Sequence, residues 1–109
     1  MTATKAEFIA QDNVENTATA KFTATGLGAI LDEFTMTNYS GGSVNVDVWV
    51  GSAATDANRV IHTYALASHA TYSFPDLIGR FIKPGDQIFW QASAATSVNG
   101  HASGRNLTS

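Results

Sequence analysis

Histidine is the residue type whose ordinary pKa lies closest to neutral pH, so the three histidines are the first candidates for metal or acid–base chemistry. His62 and His69 lie close together in the sequence, whereas His101 follows much later in the chain. A zinc site needs three or four converging ligands, usually grouped at short spacings. The histidine spacing lacks that signature. We therefore predict neither a metal site nor a cofactor, with His62 in a strand and His69 in a loop.

The carboxylates and hydroxyls do not predict catalysis either. Asp32 and Glu33 are adjacent, so on a strand they are expected to point to opposite faces rather than form a catalytic pair. Asp47 lies between valines of an alternating segment and is interpreted as a solvated residue on the outer face. No serine lies in a Gly-x-Ser-x-Gly turn, and Gly26-Leu27-Gly28 is too short for a phosphate loop. We expect no catalytic residues and no enzymatic activity.

Composition and charge narrow the class of partner. The chain has 109 residues, which fits one domain, and it has no cysteine. The net charge is −3 and the six basic residues are scattered singly, which argues against nucleic acid as a partner. No apolar run approaches the about 18 residues of a membrane helix, and the first residues do not resemble a signal peptide. Only 14% of residues are charged, and such a surface suits burial in an assembly.

In the first half of the chain, apolar and polar residues alternate with a period of two, which predicts strands. In residues 17–25 four side chains are expected to face the core: Ala18, Ala20, Phe22 and Ala24. Residues 29–38 form a second candidate strand with three core positions: Ile30, Phe34 and Met36. The clearest strand follows at residues 44–50, with four inward valines: Val44, Val46, Val48 and Val50. The Gly41-Gly42 turn predicts that the last two strands form a hairpin.

In the second half, alternation predicts further strands at residues 60–66, 87–94 and 101–108. Pro75 can begin a short helical turn, and Pro84-Gly85 occupies the centre of a type II turn. The residues from Ser97 to Gly100 are interpreted as another turn.

The strand spacing predicts an all-β fold, a β-sandwich of the jelly-roll type with about eight strands and at most one short helical turn. Residues 17–109 form this single domain. Residues 1–16 are expected to form either an N-terminal arm or an edge strand.

Four aromatic residues are candidates for an interface. Trp49 lies on the polar face of the valine strand, where it could stack on a sugar, contact another subunit or pack under a loop. Aromatic enrichment in interface cores favours the subunit contact. Phe89 shares its face with glutamines and is the second candidate, while Trp90 on the opposite face is expected in the core. Tyr39 and Tyr72 complete the set.

Four segments carry a resemblance to a known family: Leu66–Gly79 (LASHATYSFPDLIG), Lys83–Ile88 (KPGDQI), Gln91–Ala95 (QASAA) and Ala102–Gly104 (ASG). They combine a strand ending in a Pro-x-Leu-Ile segment, a Pro-Gly-Asp turn and a strand rich in small residues. Over roughly residues 44–107 the chain resembles small virion structural proteins of tailed bacteriophages.

The resemblance implies a non-enzymatic capsid decoration (cement) protein that binds the major capsid protein or other virion proteins. It implies location in the virion, assembly in the host cytoplasm, and a homotrimer at local threefold positions of the lattice. A tail or head–tail structural role is the near alternative. Residues 1–12 could then be an arm that orders only in the particle.

Two further classes remain open from the residues themselves. One is a carbohydrate-binding β-sandwich module, with Trp49, Tyr39 or Tyr72 as stacking platforms. The other is a small enzyme or metal protein on a cupin-like barrel around the histidines.

Overall fold

The chain forms nine strands, and the computed structural model describes all residues from 1 to 109. The strands are β1 (Thr2–Asn13), β2 (Thr19–Thr23), β3 (Ala29–Asn38), β4 (Val44–Gly51), β5 (Arg59–Leu66), β6 (Thr71–Ser73), β7 (Phe81–Ile82), β8 (Gln87–Ala92) and β9 (Val98–Thr108). Two 3₁₀ turns, Asp56–Asn58 and Pro75–Leu77, lie between them, where at most one short helical turn was expected.

Early strands pair with late strands in a nested order. All pairs are antiparallel: β1 with β9, β2 with β8, β3 with β6 and β4 with β5. Sheet 1 has the order β1-β9-β3-β6, with β7 also beside β3, and sheet 2 has the order β2-β8-β4-β5. This is one long antiparallel hairpin rolled into two facing sheets, which is the jelly-roll arrangement. The predicted all-β sandwich is confirmed.

Trp90 fills the centre of the sandwich and is fully buried, as predicted. Phe34 of sheet 1 meets it edge-on, with ring centroids 6.3 Å apart. Gly100 makes room on β9, because a Cβ there would overlap the indole ring. The indole Nε1 donates a hydrogen bond of 2.6 Å to Glu15 Oε1, and Lys21 Nζ donates to the other oxygen at 3.1 Å. The N–H group of this buried indole therefore has a hydrogen-bond acceptor.

A stacked aromatic pair closes each lateral side of the sandwich. Between β1 and β2, the rings of Phe8 and Phe22 stack with centroids 4.2 Å apart. Between β5 and β6, the rings of Tyr64 and Tyr72 stack at 4.7 Å, with Phe74 edge-on behind them. These pairs cover the gaps where the two sheets are not joined by hydrogen bonds.

Strand β3 is irregular, and the irregularity changes which residues face the core. The register with β9 shifts between Leu31 and Glu33. Leu31 is therefore fully buried, while Ile30 is only half-buried on the outer face. The predicted core position of Ile30 is wrong, and those of Phe34 and Met36 are confirmed.

A second register shift breaks the alternation predicted for residues 17–25. It lies between Ala20 and Phe22 on the edge strand β2. Ala18 and Ala20 are exposed, Phe22 is half-buried and only Ala24 is fully covered. The predicted inward positions of Ala18 and Ala20 are therefore wrong.

The predicted hairpin around the paired glycines is wrong, because β3 belongs to sheet 1 and β4 to sheet 2. Asn38, at the end of β3, is completely buried and holds the crossing. Its Nδ2 donates to the carbonyl oxygens of Gly42 and Leu66, both at 2.8 Å. Its Oδ1 accepts from the backbone N–H and the hydroxyl of Ser40. All the hydrogen-bonding groups of this amide are thus used.

The two ends of the chain lie side by side in sheet 1. Residues 2–13 form the edge strand β1, the second of the two predicted alternatives, and pair with β9. Strand β9 begins at Val98 rather than His101, so the predicted turn from Ser97 to Gly100 is wrong. The C-terminal segment is consequently a central strand, flanked by β1 and β3.

We predict that Asn38→Asp destabilises the protein strongly. The aspartate has no N–H to donate, and its charge would face two carbonyl oxygens inside the protein. The expected loss is about 3 kcal/mol or more, or about 10 °C or more in melting temperature. Thermal unfolding followed by circular dichroism measures this loss. Ser40→Ala, which removes one hydroxyl near the surface, should cost much less; equal losses for the two variants would contradict the role given to Asn38.

The charge of Glu15 should make stability depend on pH. Partial burial favours the protonated carboxyl, but the hydrogen bonds from Trp90 and Lys21 outweigh it and lower the pKa of Glu15. A lowered pKa in the folded state contributes stability above the ordinary pKa of a glutamate, and this contribution is lost as the pH falls through the folded value.

We therefore expect Glu15→Gln to lower the free energy of unfolding at pH 7 by about 1 kcal/mol, given the partly exposed carboxylate. The difference from the wild type should shrink as the pH falls below the ordinary pKa of a glutamate, about 4.3, and through the lowered pKa of the folded state. Urea unfolding of the wild type and of Glu15→Gln at pH 7 and at pH 3 measures this difference. Asp76→Asn, at an exposed position, is the control. A difference that is equally large at pH 3 would show that the charge does not matter.

Candidate interaction surface

The histidines lie apart from one another in the structure. His62 and His69 are exposed, and His101 lies on the outer face of sheet 1 with its Nε2 3.0 Å from Glu7 Oε2. His69 has a positive φ of 60°, which agrees with its predicted place in a loop. The structure contains no cluster of three or more histidine, aspartate or glutamate side chains able to hold a metal ion.

The outer face of sheet 1 is a polar surface built from cross-strand pairs. Arg105 Nε and Nη2 each donate to Asp32 at 2.9 Å, and this paired hydrogen bonding lowers the pKa of Asp32. Ser103 donates to Glu33 at 2.9 Å. The bulge in β3 lies between Leu31 and Glu33, where β3 has one residue more than β9. Asp32 and Glu33 therefore both face outwards. The prediction that they point to opposite faces is therefore wrong.

A shallow cavity of about 400 Å³ lies on this polar face. Its lining is Lys5, Ala6, Glu7, Asp32, Glu33, Ser103 and Gly104. A smaller hollow of about 170 Å³ follows along the same face, among Gln11, Thr35, Thr37, Asn99, Gly100 and His101. None of the four aromatic candidates lines either hollow. A sugar bound there would have no aromatic ring on which to stack.

Trp49 is on the outer face of sheet 2, as predicted, but it is only 3% exposed. The guanidinium group of Arg59 lies over its ring, 5.1 Å from the centroid. Arg59 is held in place by Asp47 at 3.3 Å and by Asp56, in the first 3₁₀ turn, at 2.8 Å. The expectation that Trp49 is exposed to another subunit is therefore wrong, because its own chain covers it.

Asp47 has a structural role that the alternation did not reveal. Its Oδ1 accepts from the backbone N–H of Thr63 at 2.6 Å, as well as from Arg59. Thr63 lies in a bulge of β5 and has a φ of 45°, a conformation that costs energy for a β-branched residue. The carboxylate of Asp47 stabilises this bulge, so Asp47 is not simply a solvated residue.

The other three aromatic candidates lie apart from one another. Phe89 is half-buried beside Trp49 on the outer face of sheet 2. Tyr72 is half-buried against Tyr64 and closes one side of the sandwich, and this burial raises the pKa of its hydroxyl. Tyr39 is 40% exposed at the end of β3, and its hydroxyl bonds to Asn13. The four candidates thus do not form one surface.

A different group of apolar side chains is exposed at the margin of sheet 1. Leu27, Ile78 and Phe81 have exposed fractions of 45%, 44% and 52%. Phe81 lies directly opposite the half-buried Ile30, and its ring lies against Gly28, which follows Leu27. We name Leu27, Ile30, Ile78 and Phe81 the β7 patch. The sequence showed no alternation here, because the segment around Gly79 is a 3₁₀ turn followed by a strand of only two residues.

The opposite margin of sheet 1 is an open strand edge. β1 pairs with β9 on one side and with no strand on the other. Thr2, Ala3, Thr4 and Lys5 are all exposed, so this end of β1 is accessible on both faces as well as along its edge. Four residues on neighbouring strands, each directly opposite the next, connect the two margins across the sheet: Lys5, Arg105, Ile30 and Phe81.

The chain matches no protein-family model, no curated protein and no solved structure in the comparisons made. None of its helical segments is long and apolar enough to cross a membrane. Function must accordingly be argued from the surfaces described above.

We predict that Arg59→Ala exposes Trp49. Losing the covering guanidinium group and its ion pair with Asp47 should cost about 1 kcal/mol. Acrylamide should quench part of the tryptophan fluorescence in the variant and very little in the wild type, where both tryptophans are at most 3% exposed. Arg105→Ala removes an arginine from the other sheet and should leave quenching unchanged. Equal quenching in the wild type and Arg59→Ala would contradict the covering role.

Proposed function

We propose that this protein is a non-enzymatic structural component of a bacteriophage particle, a decoration (cement) protein that binds the capsid lattice. The observation that carries the proposal is the β7 patch, four large apolar side chains near β7 at the margin of sheet 1, three of which are 44–52% exposed. Exposed apolar groups of this kind, rimmed by polar residues, mark surfaces that bind other proteins. The partner is the major capsid protein or another virion protein.

The β7 patch adjoins a segment that carries the family resemblance. The segment Leu66–Gly79, which resembles virion proteins, contains the second 3₁₀ turn and ends with Ile78 and Gly79. Gly79 has a φ of 83° and donates to the carbonyl of Leu31, so the turn is anchored on β3 while Ile78 stays exposed. The segment that carries the resemblance thus presents one of the four side chains of the patch, Ile78, and ends two residues before Phe81.

The fold also suits a protein that strengthens an assembly. Its core is closed on both lateral sides by aromatic pairs, so the domain does not need a partner to exclude water from its interior. Its surface is weakly charged, which lowers the cost of removing water when it is covered. Jelly rolls are also found in lectins and cupins, so the fold alone does not decide the function. A tail or head–tail position is the near alternative for the same surface.

Immunogold electron microscopy of virions that carry this gene tests the location. We expect antibody against the purified protein to label the head at many positions. Labelling confined to the tail or the head–tail junction would replace the capsid assignment with the alternative. Purified virions that lack the protein would overturn the proposal.

We predict that Phe81→Ser weakens binding to capsids from which the protein is missing. Removing the most exposed ring of the β7 patch should weaken binding at least about tenfold, as for an apolar anchor of an interface. Cosedimentation with the capsids measures it. Tyr39→Ser, at an aromatic residue with 40% exposure away from the patch, is the matched control and should bind like the wild type. Loss of binding in Tyr39→Ser but not in Phe81→Ser would place the interface elsewhere.

A further inference from the structure

The open edge of β1 carries an inference that does not rest on the proposed function. An unpaired strand edge presents backbone N–H and C=O groups that can pair with another strand. In β1 the register with β9 is regular from Thr2 to Glu7, shifts first between Glu7 and Ile9, and shifts again between Ile9 and Asp12. The edge is therefore regular over six residues before the first bulge.

The side chains on this stretch alternate in a way that limits its partner. Lys5 and Glu7 are exposed on the outer face, where they line the polar cavity. Ala6 and Phe8, on the other face, pack against the core, and Ala6 remains half-buried. Glu7 contacts His101, whereas Lys5 forms no ion pair within the chain. The edge thus offers a positive and a negative charge two residues apart, above a small apolar strip.

We infer that β1 pairs antiparallel with β1 of a second copy about a two-fold axis at Ala6. A two-fold axis perpendicular to the sheet leaves every side chain on the face that it occupies in the single copy. Residues directly opposite each other in an antiparallel pair point to the same face. The axis must therefore pass between one residue and the same residue of the second copy. With the axis at Ala6, Lys5 of each copy lies opposite Glu7 of the other. With the axis at Lys5 or Glu7, like charges would lie opposite each other. With the axis at Thr4, Lys5 would lie opposite Ala3 and gain no ion pair.

The apolar face agrees with the same register. Ala6 would lie opposite Ala6 of the second copy, and Phe8 opposite Thr4. The half-buried Ala6 would become covered on the open side of the sheet. The two chains would share one continuous sheet, in which sheet 1 of each copy is extended through β1.

This contact is isologous and closes at two copies, so it leads to a dimer rather than to the trimer that the family resemblance implies. The β7 patch lies on the opposite margin of sheet 1 and stays free in the dimer. Self-association and capsid binding can therefore be tested separately. Phe81→Ser leaves the β1 edge intact, and changes in β1 leave the β7 patch intact.

Cross-linking through a single cysteine tests the register. The chain has no cysteine, so Ala6→Cys introduces the only thiol. At the two-fold axis the two Cβ atoms would be about 5 Å apart, close enough for a disulfide under mild oxidation. Ala3→Cys is the matched control on the same strand, because its two copies would be about 20 Å apart. A covalent dimer from Ala6→Cys but not from Ala3→Cys is expected; equal cross-linking of both, or of neither, overturns the inference.

Charge reversal tests the pairing without cysteine. Light scattering across a concentration series should show the wild-type mass rising towards twice the 11.5 kDa chain mass. Lys5→Glu alone, or Glu7→Lys alone, places like charges opposite each other and should weaken the dimer about tenfold or more. The double variant Lys5→Glu with Glu7→Lys restores opposite charges and should restore the dimer. A wild type that stays monomeric, a trimer, or a double variant no better than the single ones would overturn the inference.

Discussion

The burial of Trp90 is the constraint on which the other features of the structure depend. Facing sheets pack about 10 Å apart, so an indole ring fits between them only opposite a residue with little or no side chain. Gly100 provides that space on β9. The indole N–H then needs an acceptor, and Glu15 supplies it from the connection between β1 and β2. The backbone carbonyl of Glu15 also accepts from Ala92 N–H, so one residue binds this connection to sheet 2 twice.

The packing around Trp90 does not close the two lateral sides of the sandwich. The stacked rings of Phe8 and Phe22 close one side, and those of Tyr64 and Tyr72 close the other. Both pairs cover the space between the sheets without covering the strand edges themselves. The outer edge of β1 and the β7 patch therefore stay accessible on opposite margins of sheet 1, although the core is complete. A domain built in this way can contact two neighbours at once.

Many polar and charged side chains on the two sheet faces contact other residues of the same chain. On sheet 1 the polar and charged groups are largely paired with one another, as in the Arg105–Asp32 and His101–Glu7 contacts. On sheet 2 the large ring of Trp49 is covered by Arg59, which Asp47 and Asp56 hold in place. Asp47 also stabilises the bulge at Thr63. The charged side chains of Asp47, Asp56 and Arg59 thus stabilise the local shape of sheet 2.

Alternation along the chain by itself determined the all-β class and much of the core, including Val46, Val48, Met36 and Trp90, because side chains on a regular strand take opposite faces in turn. Only the tertiary structure decided where that alternation breaks. A bulge adds one residue to one strand of a pair, so the side chains on its two sides no longer alternate in the same phase. Ile30 and Ala20 were therefore assigned to the wrong face. The partner of each strand, the cover over Trp49 and the exposure of the β7 patch likewise depend on contacts between residues distant in the chain, which no local pattern contains.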